Sequence, residues 1–422
     1  MPNLPICLMN EAMMNSIRLL VLVAAIFWVV VQPLSNLLAQ DDSPLPLPYA
    51  TFEEFKVALD SAVASGDIDP FWDTIVASGH MPLIWGDTCV FLYRGNASKV
   101  EWRGDFSGWD STDETLGEKQ GDTDLWMLVR HFPLNARLDY KIVLYDTEWI
   151  LDPLNPYQQV GGFGPNSELR MPEYIYPADT IVRDEIEKGT LRDNIVVTSR
   201  NLGYKITYRV YTPANYANLD HLPVIYVTDG QEYSDDQMGS MVIVLDNLIA
   251  DSKIQPVIAV FIDPRDPTDA FTNRREEQYI TNDKFGAFLT EELVPVIDFA
   301  FKTDARPESR AILGTSLGGL NSAYMGLTHP DTFGLLAIQS PALWVDTTVI
   351  DAYEQSDRLP LNIFMSQGSV WDDIANTHRL RDIFETKGYP MFYIETPEGH
   401  SWGNWRALLD DMLIYFFGTQ NS

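Results

Sequence analysis

The chain has 422 residues, of which 45% are hydrophobic, so it is long enough to form two domains with buried cores. Its 29 Lys and Arg residues against 60 Asp and Glu residues give a formal net charge of −31, which repels a phosphate backbone and argues against a nucleic-acid partner. Two cysteines, Cys7 and Cys89, make neither a disulfide framework nor a zinc pattern. We expect no metal and no cofactor.

A run of apolar residues, 19–31, follows Arg18 near the N-terminus. This run is short for a membrane span and suits the hydrophobic core of a secretory signal peptide. We therefore predict a signal peptide over residues 1–40, cleavage near Gln40 or Asp41, and a secreted or periplasmic protein without stable membrane association. The alternative is an uncleaved membrane anchor.

Residues 41–79 are predicted to be a linker followed by a short helical segment. The linker is rich in proline, and apolar residues then recur at helical spacing over residues 51–78. Thr51, which is followed by Glu53 and Glu54, fits a helix N-cap.

Between residues 80 and 172 the pattern changes to short segments of β-branched and aromatic residues that turn residues separate. This pattern predicts a small antiparallel β-sandwich. The strand candidates are 88–93, 99–103, 125–132 and 140–145. Residues 152–164 are predicted to be an irregular exit from the sandwich.

Residues 173–422 alternate between strand and helix patterns. Segments 224–228 and 257–262 are almost entirely apolar, as strands buried on both faces are. The other strand candidates are 205–211, 311–313, 335–339, 361–365 and 391–395. The helix candidates are 282–301, 319–328, 374–387 and 405–416. The alternation predicts an α/β domain with a mostly parallel central sheet.

The segment Gly314-Thr315-Ser316-Leu317-Gly318 fits the pattern G-x-S-x-G between a predicted strand and a predicted helix. The flanking glycines allow the sharp turn that exposes a serine hydroxyl, so we predict that Ser316 is a nucleophile. The alternative is an ordinary turn serine.

A nucleophilic serine needs a histidine base and a carboxylate that orients the histidine. His400 follows the last strand candidate in a loop, which is where a catalytic histidine belongs. In the loop after strand 361–365, Asp372 and Asp373 both fit the carboxylate, and we favour Asp372. The competing role for either aspartate is the N-cap of the next helix.

An oxyanion hole needs two N–H donors. Leu317 follows the serine and is expected to supply one. Gln231, which follows Gly230 after strand 224–228, is expected to supply the other. The alternative at this second position is an ordinary Asp-Gly turn.

Four stretches resemble a known esterase family: "LPVIYVTDGQEY", "RREEQYITNDKFGAFLTEELVPVID", "GTSLGGLNSAYMGLTHPDTFG" and "EGHSWGNWR". The family includes enterochelin esterases, S-formylglutathione hydrolases, feruloyl esterases and mycolyltransferases. The resemblance spans about residues 190–418 and implies the α/β-hydrolase fold with a Ser-His-acid triad. It implies that Ser316 is the nucleophile, that His400 is the base and that Gln231 and Leu317 donate to the oxyanion. The family's acid lies three or four residues past the glycine after its strand, and Asp372 is the fourth.

The first part, in "FLYRGNASKVEWRGDFSGWD" and "LDPLNPYQQVGGFGPNSELRMPEY", resembles the immunoglobulin-like domain of enterochelin esterases, which is akin to glycogen-binding modules. The resemblance implies that Trp102, Trp109 and Trp149 are candidate platforms for sugar rings. The alternative is that these tryptophans belong to the sandwich core. The tryptophans and segment 152–164 are expected to border the mouth of the catalytic site.

These features together favour a secreted serine carboxylesterase that acts on a small-molecule or polysaccharide ester of the feruloyl or acetyl class. The alternatives are an enterochelin-type siderophore trilactone esterase, a non-catalytic carbohydrate-binding protein and an acyltransferase. The candidates for the substrate pocket are Trp344, Trp402 and Trp405. The candidates for a basic pocket that would hold a siderophore anion are Arg274, Arg275 and Arg406. The oligomeric state is left open.

Overall fold

The computed structural model describes residues 47–419. The predicted signal peptide, Cys7 and residues 41–46 of the predicted linker lie outside this range. Among the described residues, no helix is both long and apolar enough to span a bilayer.

Two short helices precede the first strand. Helix α1 (Phe52–Ser65) begins after Thr51, whose side chain accepts a hydrogen bond from the Glu54 N–H at 3.1 Å, so the predicted cap is present. Gly66, with a φ of 73°, ends α1 in the left-handed conformation, and α2 (Asp69–Ser78) follows. The single predicted helical stretch is therefore two helices.

Two antiparallel sheets follow. One has the strand order β1-β2-β5-β4, and the other has the order β3-β6-β9-β8 with β7 also paired to β6. The strands are β1 (Leu83–Trp85), β2 (Thr88–Arg94), β3 (Val100–Gly104), β4 (Glu118–Lys119), β5 (Leu125–His131), β6 (Arg137–Leu144), β7 (Glu148–Ile150), β8 (Gln158–Gly161) and β9 (Gly164–Arg170). We call this all-β part the sandwich. Its immunoglobulin-like character and the predicted domain boundaries stay predictions.

Of the two possibilities for Trp102, the structure supports the sandwich core and excludes a surface platform. Its side chain is fully buried and packs against Phe91, with ring centroids 6.1 Å apart, in the core between the two sheets. All five residues of β3 are buried, so the alternation that would separate an inward from an outward tryptophan is absent. Trp109 and Trp149 are partly exposed, and their ring centroids lie 6.3 Å apart.

Part of the segment that was predicted to be irregular is regular. Strands β8 and β9 pair as a hairpin, and its turn leaves the Phe163 side chain fully exposed. Gly164 has a φ of 94°, a conformation that favours glycine. The hairpin was missed because three glycines in "GGFG" weaken the strand signal.

The eight-stranded central sheet has the order β10-β11-β13-β12-β16-β17-β18-β19. The pairs β10-β11 and β11-β13 are antiparallel, and the remaining pairs are parallel. Its strands are β10 (Thr190–Thr198), β11 (Lys205–Thr212), β12 (Val224–Val227), β13 (Ile258–Asp263), β16 (Arg310–Thr315), β17 (Leu335–Gln339), β18 (Asn362–Gly368) and β19 (Met391–Thr396). Strands β14 (Arg265–Asp266) and β15 (Asp269–Asn273) form a separate hairpin. The predicted α/β architecture with a mostly parallel sheet is confirmed.

Helices cover the sheet, and an apolar core lies on each of its faces. The helices are α3 (Gly230–Tyr233), α4 (Met241–Ala250), α5 (Arg275–Tyr279), α6 (Asp283–Ala287), α7 (Val294–Ala300), α8 (Leu317–Thr328), α9 (Thr348–Gln355), α10 (Ile374–Thr386), α11 (Trp402–Ala407) and α12 (Leu409–Phe417). A π-helical turn (Phe288–Leu293) joins α6 to α7, so the predicted helix 282–301 is interrupted. The predicted helix 405–416 is two helices, α11 and α12, and helices α3, α4, α5 and α9 were not predicted.

The carboxyl ends of the parallel strands lie at one edge of the sheet. The loops after β12, β16, β18 and β19 carry Gln231, Ser316, Asp372 and His400 in that order. Ligands of open α/β sheets bind at this edge, so the topology brings the four predicted site residues to one place.

Candidate active site

Ser316 lies at a strained turn between β16 and α8. Its φ of 58° and ψ of −120° are rare for a residue other than glycine. A Cβ at Gly314 would lie 2.1 Å from the Gly318 carbonyl oxygen, and a Cβ at Gly318 would lie 2.5 Å from Thr228 Oγ1. Glycine is therefore required at both positions, and the turn has the form in which a serine hydroxyl is exposed for attack. This geometry argues against an ordinary turn serine.

His400 is held by a buried carboxylate. Its Nδ1–H donates to Asp372 Oδ1 at 2.9 Å, and the Asp372 side chain is fully buried. The N–H groups of Gly368 and Asp373 also donate to this carboxylate, at 3.2 and 2.9 Å. Burial alone would raise the pKa of Asp372, but the hydrogen bond from His400 and its charge hold that pKa below the ordinary value. An ionised Asp372 fixes the proton on Nδ1 and leaves Nε2 free to accept one.

Asp373 points elsewhere. Its Oδ2 accepts a hydrogen bond from Asn376 Nδ2 at 2.8 Å, and its side chain makes no capping bond to α10, which begins at the next residue. The structure thus brings Asp372 to His400 and leaves Asp373 as the N-cap residue of α10, without a side-chain capping bond. The assignment of Asp372 as the catalytic acid stays a prediction.

Gln231 and Leu317 both lie in the first turn of a helix, α3 and α8 respectively, where an N–H has no partner within the helix. A Cβ at Gly230 would lie 2.3 Å from the Ile262 N atom, so the turn before Gln231 is packed tightly onto β13. This close packing distinguishes the turn from an ordinary Asp-Gly turn. The arrangement fits the predicted pair of donors, whose role stays a prediction.

Two tryptophans hold the His400 ring edge to face. The ring centroids of Trp344 and Trp405 lie 5.5 and 4.9 Å from that of His400. Trp405 and Trp402 are buried, whereas Trp344 is half-exposed. All three line the cavity described next, and their contact with a substrate stays a prediction.

A cavity of about 970 Å³ contains Ser316, His400 and Asp372. This volume is at the upper end of the range of small-molecule sites. The sandwich supplies part of the wall, through Trp109, Lys141, Trp149, Gly162, Phe163 and Asn166. The cavity therefore lies between the sandwich and the α/β part, and segment 152–164 borders it through the hairpin, as expected.

The predicted basic pocket is absent from this cavity. Arg275 lines it, but its Nε donates to both carboxylate oxygens of Asp229 at 2.9 Å. Arg274 pairs with Asp266 and Glu277 outside it. Arg406 is buried, with its guanidinium 5.5 Å from the Tyr176 ring centroid. The three arginines were grouped by their charge, and the sequence does not show which partner each side chain meets in the fold.

Three carboxyl groups in the cavity wall were not singled out from the sequence: Asp105, Asp139 and Glu232. Burial, together with the charge of Asp139, raises the pKa of Asp105 to about 7. Burial and the charge of Asp229 raise the pKa of Glu232 to about 7. In a chain with 60 acidic residues, the sequence gives no signal that separates these three from solvated surface carboxylates.

The model of a protein family described as "Putative esterase" matches residues 199–416, which is more than half of the chain. The chain belongs to this esterase family. The esterase is thus a carboxylic ester hydrolase, and the cavity with Ser316 and His400 is its candidate active site.

The curated relatives of the esterase include a feruloyl esterase and an enterobactin esterase. The endo-1,4-beta-xylanase/feruloyl esterase of Xylanibacter ruminicola is 30% identical over 40% of this chain and 24% of that protein. The iron(III) enterobactin esterase of Escherichia coli K12 is 28% identical over 46% of each chain. The esterase therefore matches less than half the length of either protein.

The crystal structure of the enterobactin esterase from Shigella flexneri in the presence of enterobactin is similar in fold, with a TM-score of 0.65 and 20% identity. The match covers 78% of this chain and 92% of that chain. This share exceeds residues 199–416, so the similarity extends beyond the part that the family model matches.

Proposed function

We propose that this esterase is an exported serine carboxylesterase that hydrolyses feruloyl or acetyl esters carried by a polysaccharide. The observation that carries the proposal is the cavity of about 970 Å³, in which Ser316 and His400 lie beside exposed aromatic side chains of the sandwich. Such a cavity has room for more than an acyl group, and its open aromatic side suits a bulky alcohol.

In the proposed mechanism, His400 Nε2 takes the proton of Ser316 as the serine Oγ attacks the ester carbonyl. The N–H groups of Gln231 and Leu317 stabilise the oxyanion of the tetrahedral intermediate. The intermediate collapses to an acyl-enzyme as His400 gives its proton to the leaving alkoxide. Water, activated by His400, then attacks the acyl-enzyme, and the acid leaves as Ser316 regains its proton.

The aromatic side chains that line the cavity favour a substrate with flat or apolar faces. Four large aromatic side chains that line the cavity are substantially exposed: Trp149, Phe163, Trp344 and Trp371. Exposed aromatic side chains that cluster in this way mark binding surfaces, because each gains free energy when a ring covers it. Trp344 stands beside His400, whereas Trp149 and Phe163 belong to the sandwich. We assign the acyl group of the ester to the part of the cavity beside Trp344, and the alcohol to the part beside Trp149 and Phe163.

The charge of the cavity supports a neutral ester. Five carboxyl groups line it, those of Asp105, Asp139, Glu232, Asp372 and Asp373. The cations that line it are Lys141 and Arg275, and Arg275 is neutralised by Asp229. Asp139 is ion-paired with Arg137, and the raised pKa values of Asp105 and Glu232 reduce their negative charge. What disfavours a polyanion is therefore that the described residues of this wall offer no cluster of unneutralised cations to hold one.

The second candidate function is hydrolysis of a siderophore trilactone. It is favoured by the fold similarity to the Shigella flexneri enterobactin esterase over 78% of this chain. Against it stands the cavity wall, whose described residues offer no cluster of unneutralised cations, because a ferric catecholate complex is an anion.

The test compares kcat/KM of wild type and Phe163→Ala on p-nitrophenyl acetate, methyl ferulate, feruloylated arabinoxylan, acetylated xylan and a catecholate trilactone. Wild type should prefer a feruloyl or acetyl ester to the trilactone. Phe163→Ala should lower kcat/KM on the polymeric ester about fivefold, because one aromatic contact contributes about 1 kcal/mol, and should leave p-nitrophenyl acetate within about twofold.

Phe299→Ala is the matched control, since Phe299 is also exposed but does not line the cavity. It should change neither rate. A wild type that prefers the trilactone would replace the proposed substrate with the siderophore. Equal kcat/KM values for wild type and Phe163→Ala on every ester would show that this sandwich side chain does not contact the alcohol group.

Export is proposed from the apolar run at residues 19–31 alone, which lies outside the described residues. N-terminal sequencing of the natural protein tests it. A mature start near Gln40 or Asp41 in the extracellular or periplasmic fraction is the expected result. Residues 19–31 retained in a membrane fraction would establish an anchor instead.

A further inference from the structure

Arg137 of the sandwich reaches across to the loop that carries His400. Its side chain, at the start of β6, is fully buried. Nε donates to Glu168 Oε1 at 2.8 Å, and the guanidinium is ion-paired with Asp139. Nη1 donates to Ser401 Oγ at 3.2 Å and lies 3.8 Å from Glu398 Oε2. One guanidinium thus holds two carboxylates of its own sheet and contacts the residue after His400.

Side chains of the sandwich pack directly against the backbone of two glycines, one on each side of His400. A Cβ at Gly403 would lie 2.0 Å from Arg137 Cζ, so the guanidinium lies directly on the backbone of α11. A Cβ at Gly399 would lie 2.3 Å from Asp105 Cγ. The sequence Glu398-Gly399-His400-Ser401-Trp402-Gly403 is therefore held between two sandwich side chains, and neither glycine position has room for a methyl group.

The charges around Arg137 are costly to bury. Burial raises the pKa of Glu398 to about 8, which favours its neutral form. Asp139 and Glu168 both face the same guanidinium. A buried ionic cluster of this kind contributes little net stability, because desolvation offsets the attraction. The location of this cluster beside His400 is better explained if the cluster holds the His400 loop in place.

We propose that Arg137 is a positioning residue for the esterase reaction: through Ser401 and Gly403 it fixes the backbone on which His400 is presented to Ser316. The sandwich then completes the catalytic site as well as bordering it. This inference rests on the proposed serine mechanism, in which His400 is the base.

The test is a double-mutant cycle with Arg137→Met, Gly403→Ala and the double variant, assayed for kcat and KM on p-nitrophenyl acetate and for Tm. Arg137→Met should lower kcat about tenfold to a hundredfold with KM within about twofold, because a shift of about 1 Å in a catalytic group costs about that much. Gly403→Ala should lower kcat similarly, since the methyl group displaces the guanidinium. The double variant should lose no more than Arg137→Met alone, because the methyl group then has room.

The control is Arg94→Met, which removes a sandwich arginine that pairs with Asp69 and Asp124 away from the cavity and should leave kcat unchanged. Arg137→Lys keeps the positive charge but loses the planar set of guanidinium N–H donors, so its kcat should lie between those of Arg137→Met and wild type. If Arg137→Met does not fold, the test rests on Gly403→Ala and Arg137→Lys, for which kcat is measured and is expected to fall below the wild-type value. Variants that lower Tm while kcat stays at the wild-type value, or losses that add in the double variant, would overturn the proposal.

The cycle is run only after wild type shows esterase activity and Ser316→Ala removes it. An inactive wild type, or an active Ser316→Ala, would reject the serine mechanism itself. An intact serine mechanism with wild-type kcat in every Arg137 and Gly403 variant would reject the positioning role alone.

Discussion

Ser316→Ala is expected to lower kcat for every ester by about 10⁴-fold or more while the protein stays folded. The reason is that the hydroxyl of Ser316 forms the covalent bond to the acyl group, and the remaining triad members do not replace it. The strained backbone at Ser316, with its φ of 58°, is expected to persist in the alanine variant, since it is set by the packing of Gly314 and Gly318. The measurement is the steady-state rate on p-nitrophenyl acetate, with circular dichroism to check the fold.

Ser322→Ala is the matched control. Ser322 is buried in the same helix, α8, and its hydroxyl does not line the cavity, so its removal should change kcat by less than about twofold. A folded Ser316→Ala that kept a tenth of the wild-type activity would show that another group is the nucleophile.

Asp372→Asn is expected to lower kcat by about 10⁴-fold, and Asp373→Asn by no more than a few-fold. An amide at position 372 can donate a hydrogen bond to His400 Nδ1, which then favours the tautomer that carries its proton on Nε2 and cannot accept one from Ser316. Asp373 bonds Asn376 and does not touch the imidazole, so its loss affects the start of α10. The measurement is kcat for both variants on one ester at one pH.

The two aspartates control for each other, because they differ by one position in the chain and by their contact with His400. A larger loss in Asp373→Asn would move the acid to that residue. Small and equal losses in both variants would point to a carboxylate elsewhere, for which Asp105 in the cavity wall is a candidate.

The central sheet and the positions of the candidate site residues at its edge were readable from the sequence because their signals are local. Buried parallel strands are continuous apolar runs, so β12 and β13 stand out, and G-x-S-x-G between a strand and a helix places Ser316. His400 and Asp372 follow from the loops after β19 and β18, since the topology of the sheet brings all such loops to one edge.

The contacts between the sandwich and the α/β part were not readable. Arg137 and Ser401 are 264 residues apart, and no local pattern joins them. Trp102 was left open between a surface platform and the core, and the packing of the two sheets places it in the core. The Asp229 carboxylate that neutralises Arg275 is 46 residues away along the chain. Long-range pairing decides these features, and a single sequence does not record it.

The most direct test of the serine mechanism is to trap the acyl-enzyme and locate it. The esterase is incubated with an aryl ester, quenched in acid, digested with trypsin and analysed by fragmentation mass spectrometry of the peptide 311–358, which contains Ser316. The serine mechanism predicts that the acyl mass is carried by Ser316 and is absent from Ser316→Ala. An acyl mass on another residue in wild type, with turnover that persists in Ser316→Ala, would contradict it.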